Sequence, residues 1–250
     1  MKIARINIEK GTIYAEYRDG KYYPIAGDIF NKYRVLEKSV TPLKLLAPVL
    51  PTKIIALGAN YKKHAEELHL NVNSVPTIFM KPTTSVLEPN GNIIYPNKAT
   101  QVDYEAELAI VIKKQCRYVQ KQDASSVILG YTCANDVSER VFQKMDGQWT
   151  RAKGYDTFCP LGSYIETEVD PACLELKAIV NGEIRQKGNT KDLIHNIPSI
   201  ISFVSEIMTL NAGDVILTGT PEGVGRINIG DTVEINIEKI GSIVNKVVAE

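Results

Sequence analysis

The chain has 250 residues, 44% of them hydrophobic, and its 29 Lys+Arg are balanced by 29 Asp+Glu. That length can bury a substantial core, as one domain with an appendage or as two small ones, and the charge balance argues against a general polyanion-binding surface. No basic tract, zinc-finger spacing or aromatic-basic RNA motif occurs, and no apolar run approaches the roughly 20 residues that cross a bilayer, so neither nucleic acid nor membrane is an expected partner.

The amino-terminal stretch MKIARINIEKG enters directly into alternating sequence and lacks the apolar segment of a signal peptide. KIARINI, TIYAEY and KYYPI read as short strands, with Asp19-Gly20 as a hairpin turn between the last two. TPLKLLAPVLPTK carries three prolines and reads as a connector, which places a small β-rich unit at residues 1–48 and a larger unit at 49–250. KIIALGAN is an apolar strand ending at Gly58, and NYKKHAEELH permits a short helix. TIFMK is a strand, followed by a loop rich in proline, asparagine and glycine. The acid-bearing strand QVDYEAELAI comes next, then SSVILGYTCAND, an apolar strand ending in polar groups, and VSERVFQKM opens a helix.

DTFCPLGSYI and LELKAIVNGEIRQKG supply further strands, the second with a primed turn at Asn181-Gly182. Pro198 to Leu210 is the strongest helix, because Ile200, Ile201, Phe203, Val204, Ile207 and Met208 form one broad apolar stripe and Pro198 suits a first turn. DVILTGTPEGVG is a strand followed by a glycine-rich loop, and GDTVEINIEKIGSIVNKV closes as a hairpin. Many strands and few helices predict a mixed, β-dominated α+β fold without βαβ alternation. Cys116, Cys133, Cys159 and Cys173 are far apart and mostly among apolar residues, which fits packed, reduced thiols in a cytoplasmic protein.

Three acids, Asp103, Glu105 and Glu107, recur at alternate positions of one strand and would project to one face. Partly buried carboxylates that close raise one another's pKa and cost stability. A hard divalent cation relieves the conflict, and Asp136, at the end of the next strand, is placed to be a third ligand beside Glu105 and Glu107. The alternative is an exposed edge strand whose acids face solvent or cross-strand lysines.

His64 and Glu67 are three apart, so a helix sets them on one face, where a carboxylate-held imidazole makes a general base. A chance surface pair is equally compatible with the spacing; His69 reads as a surface residue and His195 as a capping or surface one. Lys81, Lys153 and Thr220 are polar groups among apolar or glycine-rich neighbours, suited to a substrate carboxylate or an oxyanion, or to snorkelling. The glycine loop lacks the Lys-Ser or Lys-Thr ending of a nucleotide-binding loop.

Taken together, GANYKKHAEE, FMKPTTSVLEPNGNIIYP, DYEAELAIVI, GYTCANDVSER, KGYDTFCPLG, VNGEIRQKGNT and LTGTPEGVG stand in an order that resembles the fumarylacetoacetate hydrolase family, in its short branch. The resemblance covers most of residues 54 to 225. It implies a β-sandwich roll, a homodimer and Mg²⁺, with Mn²⁺ as a substitute. Its metal carboxylates fall on Glu105, Glu107 and Asp136, its catalytic dyad on His64 and Glu67, and its active-site lysine on Lys153. Arg140, Gln186 and Thr220 fall on further matching positions, Gln186 near the substrate, and together with Lys81 they are the expected substrate contacts. Ser163 and the segment KDLIHN depart from the family pattern, away from these residues.

The implied chemistry is hydrolytic carbon-carbon cleavage of an acylpyruvate-type 2,4-dioxo acid, with a metal favouring the pyruvate enolate. An oxaloacetate-type decarboxylase, a 2-hydroxydienedioate isomerase or decarboxylase of aromatic catabolism, and a non-catalytic metal-binding scaffold are the alternatives.

Overall fold

The strand Ala106–Ile112, AELAIVI, is buried along its whole length. Its period of two sends Leu108, Ile110 and Ile112 into one apolar cluster, and Ala109 and Val111 into another. An interior strand covered on both faces therefore carries Glu107 and begins directly after Glu105. The exposed edge strand of the alternative reading is absent at this point in the computed structural model, which describes residues 1–67 and 74–250.

Around this strand runs an 11-stranded sheet. Its order from one edge is Tyr33–Val35, Lys21–Gly27, Gly11–Arg18, Lys2–Ile8, Ile165–Glu166, Ile128–Asn135, Ala106–Ile112, Val215–Leu217, Ile54–Gly58 and Thr77–Lys81. Lys44–Leu46 also pairs with Lys2–Ile8, so part of the proline-rich connector is a strand. Every pairing is antiparallel except that of Val215–Leu217 with Ile54–Gly58. Residues 1–48 share the ladder of the central sheet, since Lys2 pairs with Glu166 and Ile3 with Ile165.

A five-stranded sheet covers one face, in the order Glu183–Asn189, Glu175–Val180, Thr232–Ile237, Gly241–Ala249 and Asn92–Tyr95. Its inner residues Leu176, Ala178, Ile235, Ile237 and Val247 pack in the same cluster as Leu108, Ile110 and Tyr131. Two sheets face to face with few helices give the β-dominated sandwich expected from the sequence. Both primed turns form, with φ of 50° and 76° at Asp19-Gly20 and 53° and 83° at Asn181-Gly182.

Four α-helices are present among the described residues: α1 Lys62–Glu67, α2 Arg140–Asp146, α3 Thr150–Lys153 and α4 Ile197–Ile207. Of the stripe expected on α4, Ile200, Ile201 and Val204 are buried, Phe203 and Met208 are half-buried, and Ile207 is exposed. The Asn196 side chain accepts from the Ser199 amide at 3.1 Å, so Asn196 and not His195 is the cap. The helix stops three residues short of the expected end, because Met208 is already extended. His69 lies outside the described residues.

A small three-stranded sheet, Ser138–Glu139, Val102–Tyr104 and Gly225–Arg226, positions the site. It joins the acid-bearing segment, the turn after Asn135 and the end of the glycine loop at one end of the main sheet.

Candidate functional site

Glu105 falls in a gap between the strands Val102–Tyr104 and Ala106–Ile112. At that gap the Glu105 amide donates to Asn135 Oδ1 at 2.9 Å, and the Asp136 amide donates to the Glu105 carbonyl at 3.0 Å. The two chain ends are thus tied side by side, and Glu105, Glu107 and Asp136 bring carboxylate oxygens within 4.8 Å of one another. Asp103 does not join them. The interruption breaks the alternation the sequence suggested, and Asp103 instead accepts from Arg140 Nε at 2.8 Å.

All three grouped acids are buried: Glu105 is 4% exposed, Glu107 1% and Asp136 0%. Basic groups compensate them unequally. Arg140 Nη2 donates to Glu105 Oε1 at 2.6 Å, and Lys153 Nζ donates to both Glu105 Oε2 and Asp136 Oδ2 at 2.7 Å. Lys81 Nζ donates to Asp136 Oδ1. Burial pushes the Glu105 carboxyl up, but Lys153 and then Arg140 outweigh it and hold Glu105 well below the usual carboxylate range. Burial pulls Lys153 down, and Asp136 and Glu105 more than reverse this, so it stays a cation.

Glu107 is the exception. Among the described residues its one hydrogen bond comes from the Gly219 amide, to Oε2 at 2.6 Å, and no ion pair joins it to a basic side chain. Burial, then Asp136 and Glu105, raise its pKa well above the ordinary value. Gly219 has φ +95° and lies so close to Asn60 that an added Cβ would meet Asn60 Cβ at 2.8 Å, so the short contact with Glu107 requires glycine. Three hard oxygen donors, one with an oxygen free of hydrogen bonds, are the donor set that a small divalent cation takes. The residues present therefore fit a metal.

The other candidate residues meet at the same place in different ways. His64, buried on α1, has Nδ1 at 3.1 Å from Glu67 Oε2, while Glu67 Oε1 accepts from the Gly223 amide at 3.0 Å. The dyad is thereby docked on the glycine loop. Thr220 Oγ1 donates to the Ala106 carbonyl at 2.8 Å and accepts from Gln186 Nε2 at 2.8 Å. Gln186 also donates to the Pro221 carbonyl at 2.7 Å and accepts from the Ala106 amide at 3.0 Å, so its amide braces the loop against the central strand. Lys81 is directed at Asp136 and the Val137 carbonyl.

His64, Glu105, Glu107, Arg140, Lys153 and Thr220 line one chamber together with Leu57, Phe79 and Trp149. Lys81 and Gln186 are not among its lining residues.

A family model described as fumarylacetoacetate (FAA) hydrolase C-terminal matches residues 53–248. The chain belongs to the fumarylacetoacetate hydrolase family. Members of that family are enzymes, and its relatives here carry the names of several reactions. A 2,4-didehydro-3-deoxy-L-rhamnonate hydrolase of Sphingomonas sp. (strain SKA58) is 45% identical, covering 76% of this chain and 71% of its own. The mitochondrial oxaloacetate tautomerase Fahd2a of Rattus norvegicus is 41% identical, covering 81% of this chain and 69% of its own. A crystal structure of 5-carboxymethyl-2-hydroxymuconate delta-isomerase from Mycobacterium smegmatis superposes with a TM-score of 0.93 at 45% identity, covering 100% of both chains.

Within this family member, several residues that shape the site escape a sequence reading. Asn135 accepts from the Glu105 amide, and Asn60 donates to the carbonyls of Thr218 at 2.7 Å and His195 at 3.1 Å. Asn60 thus ties the start of α1 to the end of the strand Val215–Leu217. Trp149 is the chain's single tryptophan, the one signal that could have drawn attention to it. Among the described residues no helix is long and apolar enough to cross a membrane, and all four cysteines are free thiols.

Proposed function

We propose that this protein is a divalent-metal-dependent hydrolase that cleaves the carbon-carbon bond of an acylpyruvate-type 2,4-dioxo acid, with Mg²⁺ as the metal and Mn²⁺ able to replace it. The observation that carries this reading is that Glu105 and Glu107, grouped with the buried Asp136, and His64, held by Glu67, line one chamber. A cation held by those three carboxylates would supply Lewis acidity towards the oxygens of a 2-oxo acid.

The chain's own groups do the rest. Glu67 holds Nδ1 of His64, which leaves Nε2 to take a proton from water. The oxygen of that water adds to the carbonyl at C-4. Collapse breaks the C-3 to C-4 bond, the acyl part leaves as a carboxylic acid, and C-3 regains a proton to give pyruvate. Lys153 remains a cation when buried, so its ammonium can face the negative charge that builds up on the substrate oxygens. Arg140 fixes the orientation of Glu105 through its bond to Oε1, and Thr220 holds the glycine loop to the strand that carries Glu107.

The similarity to an isomerase and to a tautomerase supports a second reading, keto-enol isomerisation of a 2-oxo diacid, which needs the same acids and a base but no attacking water. A panel of acetylpyruvate, fumarylpyruvate, oxaloacetate and a hydroxymuconate-type diacid separates the readings when pyruvate, carbon dioxide and enol absorbance are followed together. Pyruvate from an acylpyruvate supports hydrolysis. Enol interconversion without cleavage of any acylpyruvate replaces it with the isomerase. With the active substrate, His64→Ala is expected to lower turnover by about 10² to 10⁴ while calorimetric Mg²⁺ binding stays intact; unchanged turnover removes His64 from the reaction. The reading includes a cytoplasmic homodimer, which light scattering on the purified chain checks.

A further inference from the structure

Phe79, Trp149 and Gly58 line the same chamber as the acids. The indole sits directly on that glycine: a Cβ at Gly58 would lie 2.5 Å from Trp149 Cζ3 and 2.7 Å from Cη2. Gly58 has no need of an unusual φ. Its lack of a side chain serves the close approach of the ring.

Phe79 meets the indole edge-on, with centroids 5.1 Å apart and planes at 71°. The Lys153 ammonium lies 5.2 Å from the Phe79 ring centroid. The aromatic pair therefore abuts the same lysine that bridges Glu105 and Asp136.

The indole is held from behind as well. Gly147 closes α2 in the left-handed region, and Trp149 then caps α3, where the Lys153 amide donates to the Trp149 carbonyl at 3.0 Å. Arg151 clamps the α2–α3 turn by donating to Asp146 Oδ2 at 2.8 Å while stacking 3.9 Å from the Phe142 ring centroid. A half-buried tryptophan fixed in this way is a wall whose position is set by the fold. The ring therefore bounds, on a fixed element, the chamber onto which Glu105, Glu107 and Lys153 also face.

We infer that Trp149, seated on Gly58, is the size-selecting wall of the substrate site: it meets the part of the substrate beyond C-3, admits a short unbranched group, and excludes a bulky or aromatic one. This rests on the proposed 2-oxo acid substrate class. It does not depend on which reaction follows binding.

The test uses Mg²⁺-loaded protein and ligands that hydrolysis cannot cleave: oxalate, 2-oxobutanoate, 2-oxohexanoate and 3-phenylpyruvate. Affinities come from calorimetry. The emission of Trp149, the only tryptophan in the chain, reports contact with the wall. In the wild type, affinity should fall from 2-oxobutanoate to 3-phenylpyruvate, and emission should respond to the 2-oxo acids that carry carbons beyond C-3 more than to oxalate.

Trp149→Ala should improve 3-phenylpyruvate binding relative to oxalate by about tenfold or more, the scale on which a pocket wall discriminates hydrocarbon. Trp149→Phe should fall between. Gly58→Ala, which dislodges the ring without removing it, should shift the emission of the ligand-free protein. A ratio that stays within twofold of wild type in both Trp149 variants overturns the inference, as does an emission change as large with oxalate as with the 2-oxo acids. Should Trp149→Ala fail to fold by circular dichroism, Trp149→Phe and the wild-type emission series decide. If the ratios shift as expected while no acylpyruvate is cleaved, the hydrolase reading falls and the wall stands.

Discussion

At the scale of single residues, Glu107 differs from its two neighbours in having no basic partner among the described residues, and this decides how the acid group should respond to mutation. Glu105 and Asp136 each bond two ammonium or guanidinium donors, whereas Glu107, among the described residues, accepts from the Gly219 amide alone. Glu107→Gln should therefore weaken Mg²⁺ binding at least tenfold by calorimetry, through loss of a charged ligand. The same change removes like-charge crowding, so metal-free protein should melt no lower than wild type. A variant that binds Mg²⁺ normally would remove Glu107 from the ligand set. The identity of these acids was legible in the sequence, as was the His64–Glu67 pairing. Their partners were not. Lys81 read as a substrate contact, and its ammonium lies on Asp136, a neighbour 55 positions away along the chain. No spacing rule reaches across that interval.

At the scale of elements, the strand Ala106–Ile112 and the helix α4 show why strong periodicity translated well. Leu108, Ile110 and Ile112 fill the cluster between the sheets, so Ile110→Ala should cost about 2–5 kcal/mol in a denaturant melt. A cost below about 1 kcal/mol would mean that this strand is not the packed centre described. Asn196 contributes through a single capping bond, and Asn196→Ala should cost only about 0.5–2 kcal/mol. The gap at Glu105 was invisible to the same reasoning. A run of alternating acids looks like one continuous strand, but the chain leaves the ladder at Glu105 because Asn135 and Asp136 supply its main-chain hydrogen bonds from the neighbouring strand. Lys44–Leu46 was missed for a related reason. Three prolines hid a short segment whose strand character comes from pairing with Lys2–Ile8.

At the scale of the whole molecule, the acid group joins the central strand to the turn after Ile128–Asn135, and the neighbouring dyad joins α1 to the glycine loop. A cation that binds only the folded protein should stabilise all of these together. At a concentration 100 times its Kd, Mg²⁺ should add about 2.7 kcal/mol, seen in a chain of this length as a rise of roughly 5–10 °C in Tm. EDTA should reverse the rise, and a Glu105→Gln/Glu107→Gln/Asp136→Asn variant should show none. A rise that persists in that variant would place the cation elsewhere. The sequence alone determined the strand-dominated architecture, both primed turns and which side chains could bear chemistry, because these follow from local periodicity, turn stereochemistry and residue type. The tertiary structure alone decided that Asp103 belongs to Arg140, that Lys81 serves Asp136, and that an indole rests on Gly58 in the chamber the acids line. Each of those is a contact between segments distant in the chain, set by how the sheets pack and not by any pattern along the backbone.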